Sequence, residues 1–309
     1  MTTEPTTRAG VDRTTIGVAA AAAALTLWVY LPALADAAER WATDPQYSHG
    51  YLVPAFALVL LVRGRGRLAG GDLRPDWRGL IPLAAGAAGF VAGGYLYADW
   101  LAAGSLIPTL LGLALVLGGR PALRWAAPAV GFLAFMLPLP YRVETALGRP
   151  LQSVATASST WALQTLGLPA VAEGNVILLE NGRIAVVEAC NGLSMLLTFA
   201  AMTTAVAVVV RRPLFDRVVL VLSTVPVALA VNVARITANG VAIEVWDVPT
   251  AHRWFHDQGG WLMMPLAVAL LGFELWVLGR LFVDAPAGAD APALNFTPGR
   301  TARQPAGVG

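Results

Sequence analysis

Residues 193–212 read Leu-Ser-Met-Leu-Leu-Thr-Phe-Ala-Ala-Met-Thr-Thr-Ala-Val-Ala-Val-Val-Val-Arg-Arg. From Leu193 to Val210 no residue is charged, and the apolar positions follow neither a period of 2 nor one of 3.6. An arginine pair, Arg211-Arg212, closes the run. Uninterrupted apolar stretches of about 20 residues are the length a helix needs to cross a bilayer. Working outward, the same texture recurs. The remaining candidate spans are Ile16–Ala35, Tyr47–Val62, Leu80–Tyr97, Leu101–Leu117, Ala122–Leu139, Val218–Ala234 and Gly260–Phe282. Composition agrees, since 57% of the 309 residues are hydrophobic and only 13% charged, about half the charge of a soluble domain. The first span is too long for a signal-peptide core and is followed by seven more, so it reads as an uncleaved helix.

The arginines set an orientation. All 21 basic residues are Arg. Arg63, Arg65, Arg67, Arg74 and Arg78 lie between spans two and three, Arg120 and Arg124 in the next connection on that side, and Arg211, Arg212 and Arg217 in the one after. By the positive-inside rule this face, and with it both termini, is cytoplasmic. The expected fold is therefore an all-α polytopic membrane protein of about eight transmembrane helices, residues 16–282. Residues 1–15 form a cytoplasmic tail, and residues 283–309, rich in Ala, Pro and Gly, a disordered one. Two larger segments face outward. The first holds an amphipathic stretch, Val143–Leu166, suited to the membrane surface. Two β-prone runs then flank Asn181-Gly182, predicting a small extracytoplasmic hairpin before the sixth helix. The second, Ile236–Gly259, is rich in Trp and His.

Chemistry-bearing residues collect at that outer face. Cys190 lies about 20 residues beyond the Arg211-Arg212 pair, Arg235 about 18 beyond Arg217, roughly 27 Å along a helix, and His256 just before the last span. These are the types of a thiol nucleophile, an anion stabiliser and a proton-transfer base. Each also has a plainer reading. Cys190 reads equally as a small core residue, although Asn191-Gly192 and a helix start follow it, which favours a thiolate. Arg235 reads equally as a snorkelling anchor. Asn232, three residues earlier on the same helix face, is placed to orient the Arg235 guanidinium or to bond another helix. His252 lies one turn from His256, and His49, also at the outer face, is a spare base. No third ligand accompanies the two histidines at suitable spacing, and the single cysteine rules out an internal disulfide or a multi-cysteine metal site. The reading includes no metal and no cofactor.

At these residues the chain resembles the exosortase/archaeosortase family. Ala189-Cys190-Asn191-Gly192, opening a membrane helix, is similar to the family's nucleophile motif. Pro226 followed by Asn232-Val233-Ala234-Arg235 resembles its second motif, and His256-Asp257-Gln258-Gly259-Gly260-Trp261 its His-x-x-x-Gly motif. Asp44-Pro45-Gln46-Tyr47-Ser48-His49-Gly50-Tyr51-Leu52-Val53-Pro54 resembles its amino-terminal signature. The likeness runs from about Trp41 to Phe282, without the appended soluble domain of some members. It implies that Cys190 is the nucleophile, Arg235 stabilises the oxyanion and His256 moves protons; only His256 has Gly260-Trp261 at the expected distance. It further implies an inner-membrane cysteine transpeptidase whose active site faces the periplasm. Its substrates would be exported proteins with a carboxyl-terminal motif, a membrane helix and a basic tail, transferred through a thioester to an amine acceptor. No nucleic-acid partner is implied. Hydrolysis without transfer is one alternative. A non-enzymatic transporter or scaffold in polysaccharide export is another, although the polar residues gather at the rim and no internal repeat is present.

Overall fold

The computed structural model describes residues 13–69, 73–186, 192–209, 213–246, 269–270, 272–277 and 280. Helix α1 (Arg13–Thr43) runs well past the expected span. Asp44 then accepts a hydrogen bond from Gln46 N at 2.8 Å and opens a 3-10 turn, Pro45–Tyr51. That turn delays α2 (Leu52–Ala69), which begins five residues later than Tyr47 and continues through Arg63 and Arg65. A second Asp-capped turn, Trp77–Gly79, leads into α3 (Leu80–Tyr95), followed by the short α4 (Asp99–Gly104) and by α5 (Leu106–Phe132).

Helix α5 is not one rod. Arg40 and Trp41 are neighbours at the end of α1, yet Arg40 Nη2 meets Asp99 Oδ2 at 3.2 Å and Trp41 Nε1 donates to Met136 O at 3.0 Å. The 38 residues Asp99–Met136 would stretch about 57 Å as a straight helix, so they must double back. The break is Gly119 (φ 65°, ψ −157°), where an added Cβ would overlap the Arg74 carbonyl oxygen. Its two arms overlap the expected fourth and fifth spans, Leu101–Leu117 and Ala122–Leu139, whose far ends lie instead in α4 and in the turn after Phe132. The first arm packs on α3, with Gly79, Gly86 and Gly112 allowing backbones to touch, as small residues do between apolar helices.

A 3-10 turn, Leu133–Met136, leads to α6 (Tyr141–Thr165). The amphipathic stretch is a single helix whose buried side, including Ala155, Ser159 and Leu163, lies along α9. Three short strands follow, β1 (Val171–Glu173), β2 (Val176–Leu178) and β3 (Arg183–Ala185), antiparallel in that order. The expected hairpin is β2–β3, in register Val176↔Ala185 and Leu178↔Arg183. Its tip is a four-residue loop closed by Leu179 N to Gly182 O at 2.9 Å, rather than a two-residue Asn-Gly turn. The strand β1 was not legible in the sequence.

Helix α7 (Leu193–Val209) precedes α8 (Leu214–Leu222) and α9 (Thr224–Val245), which are joined at Ser223. Among the described residues, three segments are long and apolar enough to cross a membrane, Gly17–Thr43, Asp99–Met136 and Leu214–Val245, with Leu193–Val209 a shorter apolar helix. The last expected span is described only as helical residues 269–270, 272–277 and 280, and both tails lie outside the described residues. The core has two main parts. One joins α1, α2, α5 and α7 around Tyr30, Trp41, Phe132 and Ala201. The other seats the sheet, through Ile177 and Ile184, on Leu163 of α6 and Ile236 and Ile243 of α9.

Candidate active site

Helix α9 continues ten residues beyond Arg235, so the arginine sits inside the helix and not at its carboxyl-terminal end. Asn232 lies one turn earlier and is completely buried, and its Oδ1 accepts a hydrogen bond from Arg235 Nη2 at 2.9 Å. This is a charge-assisted bond, roughly twice as strong as a neutral one. Gly192 approaches the same asparagine. Its φ of +88° belongs to the left-handed region, and a Cβ there would lie 3.0 Å from Asn232 Nδ2. Gly192 also starts α7, its carbonyl accepting from Leu196 N at 2.9 Å. One buried amide therefore bridges the guanidinium of α9 and the backbone from which α7 departs.

The chain is anchored on the other side as well. Val186, 1% exposed, donates its N–H to Asn175 O at 2.8 Å, and its carbonyl accepts from Gln152 Nε2 of α6. The hairpin tip is held to the end of α9, where Glu244 accepts from Asn181 N at 3.2 Å and from Asn181 Nδ2 at 2.6 Å. Gln152 and Glu244 had no signal in the sequence, because their partners lie 34 and 63 residues away.

The structure brings Gly192, Asn232 and Arg235 together. Cys190, Asn191, His252 and His256 lie outside the described residues. His49 has a partner of its own. It lies on the 3-10 turn after α1, buried, and its Nε2–H donates to Phe135 O at 3.0 Å. Burial pushes its imidazole below the ordinary histidine range, against the pull of the Phe135 and Gln46 carbonyls. Neighbouring side chains clasp the same connection: Gln46 Nε2 donates to Glu144 Oε1 at 2.7 Å, and Tyr47 Oη accepts from Leu139 N at 3.1 Å. The stretch from Trp41 to Gly50 is thus a clamp on residues 135–144, which is a structural use of His49. Among the described residues no cluster of His, Cys, Asp and Glu is suited to hold a metal ion.

These features define a helical membrane protein with a part-buried arginine on a fully buried asparagine, set against the start of an apolar helix. A family model of transmembrane exosortases matches residues 41–273, well over half of the chain, and the protein belongs to the exosortase family. The match begins at Trp41, where the clamp begins. No curated protein and no solved structure matches the chain.

Proposed function

We propose that this exosortase is a membrane-embedded cysteine transpeptidase that cuts the carboxyl-terminal sorting tail of exported proteins and transfers the product to an amine. The observation that supports this most directly is the Gly192–Asn232–Arg235 junction. Two residues of chain reach at most about 7 Å, so Gly192 bounds the distance from this junction to Cys190. An arginine inside an apolar helix is costly and is held there for a purpose. Here it has a partner one helical turn earlier.

In the proposed reaction the Cys190 thiolate, favoured by the α7 amino terminus, attacks the scissile carbonyl carbon. The carbonyl electron pair moves to oxygen, and Arg235 donates to that oxyanion. Collapse breaks the C–N bond, and His256 protonates the departing amine, which leaves with the membrane helix of the substrate. The acyl group remains on sulfur as a thioester. An incoming amine loses a proton to His256, attacks the thioester carbon and expels the thiolate. The proposed setting is the inner membrane, with eight spans, cytoplasmic termini and the site facing the periplasm. Neither a metal nor a cofactor takes part.

The test is the processed fraction of a tail-bearing substrate at matched expression. Cys190→Ala should abolish processing while the protein stays folded in the membrane. His256→Ala should reduce it by about 10²–10⁴-fold, and His252→Ala far less. Undiminished processing by Cys190→Ala removes the enzyme reading. A live His256→Ala beside a dead His252→Ala moves the base by one helical turn. Mass analysis of the new carboxyl terminus separates transfer to an amine from hydrolysis.

A further inference from the structure

Asn239 lies one turn beyond Arg235 on α9 and two turns beyond Asn232. Spacings of three and four residues bring side chains to one side of a helix, so Asn232, Arg235 and Asn239 form a single column. Gly192 arrives at the foot of that column, against the Asn232 side chain. Ile236 and Ile243, one turn before and one turn after Asn239, bury against the strands and α6. The column therefore faces into the protein.

Among the described residues, the side-chain oxygen of Asn239 is buried and has no hydrogen-bond partner. Its own helix cannot supply one. Helix α9 runs on to Val245, so the backbone N–H groups around Asn239 are taken by carbonyls four residues back. Folded proteins keep few orphaned acceptors, and each one calls for a reason. Thr237 Oγ1 is also unpartnered, but two residues along a helix put it on the other side from Asn239. Only the asparagine shares the column of Arg235.

We propose that Asn239 is a specificity-determining residue of the Arg235 site, its side-chain oxygen accepting a hydrogen bond from a backbone N–H of the substrate's recognition motif. This rests on the proposed function. Four residues of helix set Asn239 about 6 Å beyond Arg235, and an extended peptide advances about 3.3 Å per residue. With the scissile carbonyl at Arg235, Asn239 meets the substrate about two residues away. In the proposed orientation α9 runs outward, so those residues lie on the exported side, amino-terminal to the cut. An acceptor at a fixed height above the oxyanion donor sets which peptide bond is presented to Cys190.

The test reads binding apart from cleavage, with Cys190→Ala protein in lipid bilayers and a synthetic tail carrying the motif and membrane helix of a processed substrate. In a series of tails one peptide N–H at a time is replaced by an ester oxygen, which removes the donor and keeps the shape. The ester about two residues before the cut should weaken binding roughly two- to tenfold, the range of one hydrogen bond. Asn239→Leu, similar in size but without the acceptor, should weaken binding of the unaltered tail by the same factor. Combining the two changes should cost no more than either alone, because both remove one bond. Should the Leu variant fail to fold, Asn239→Ala takes its place in this cycle. Independent, additive losses would overturn the proposal, as would a motif with no ester-sensitive position. The oxygen is unpartnered in the free protein, so Asn239→Leu should not lower the melting temperature. A lower melting temperature with unchanged tail binding would assign Asn239 to the fold and overturn the proposal. Failure of the unaltered tail to bind would strike the proposed function itself, whereas binding without coupling to Asn239 strikes this contact alone.

Discussion

A guanidinium bonded 2.9 Å from an amide oxygen on its own helix has given up much of the freedom that snorkelling to headgroups requires. This geometry is what supports the oxyanion role proposed for Arg235 over the snorkelling anchor that the sequence left open beside it. Asn232 accepts from the guanidinium, and the backbone of Gly192 approaches the same asparagine side chain. Arg235→Lys should therefore fail in processing although charge is kept, because an ammonium cannot reproduce the planar fork. Wild-type processing by Arg235→Lys would return the residue to the role of an anchor. Gly192→Ala tests the other side of the bridge. A left-handed φ disfavours a Cβ by about 1–2 kcal/mol, and here the Cβ would also press on Asn232 Nδ2 at 3.0 Å. The variant should unfold at lower temperature in detergent and process substrate more slowly. An unchanged melting point and rate would show that Asn232 yields without consequence. Asn232 itself was readable in the sequence, since three residues on a helix bring two side chains to one face.

At the scale of elements, legibility followed locality. The apolar runs announced α3, α7 and both arms of α5, and the gap between the fourth and fifth runs, residues 118–121, falls at the fold-back between those arms. Asn181-Gly182 announced the hairpin. The carboxyl-terminal end of α9 was hidden, because Thr237, Asn239, Gly240 and Glu244 give it the texture of a loop. What keeps it helical is tertiary: Ile236, Ala242 and Ile243 bury against the strands and α6. Long-range packing of this kind overrides local polarity and leaves no periodic trace in a single sequence. The clamp at Trp41–Gly50 was legible as a motif but not in its role, since its partners at 135–144 are about ninety residues away. The same logic predicts a specific weakness. Glu244 holds the hairpin tip by two bonds to Asn181, at 3.2 and 2.6 Å, on an exposed surface. Glu244→Ala should leave global stability nearly unchanged while speeding protease cleavage within residues 179–182. Cleavage at the wild-type rate would mean that Ile177 and Ile184 alone seat the sheet.

Across the whole molecule, the contacts sort the chain into two ends. Arg40, Asp99, Trp41 and Met136 meet at one. At the other, the Arg74 carbonyl closes over Gly119, and Trp125 Nε1 donates to Leu61 O at 2.8 Å. The sequence adds that Arg63, Arg65, Arg67, Arg74, Arg78, Arg120 and Arg124 all fall near this second end. At the first end, Arg40 is matched by Asp99. Moving a cluster of arginines across a bilayer is opposed during insertion, so the second end should be cytoplasmic and the first should face outward. That assignment also puts Gly192, where α7 begins, on the outer side, because the α7 run ends at Arg211-Arg212. Single cysteines introduced in a Cys190→Ser background, probed with a membrane-impermeant thiol reagent on intact cells, read the orientation directly. A cysteine replacing the exposed Tyr97, at the turn just before Asp99, should label from outside. One replacing Arg74 should label only after the membrane is opened. The reverse pattern would invert the molecule and place the Arg235 site on the side where an exported substrate has already left. Labelling of both positions from one side would instead mean that α3, which lies between them, does not cross the membrane.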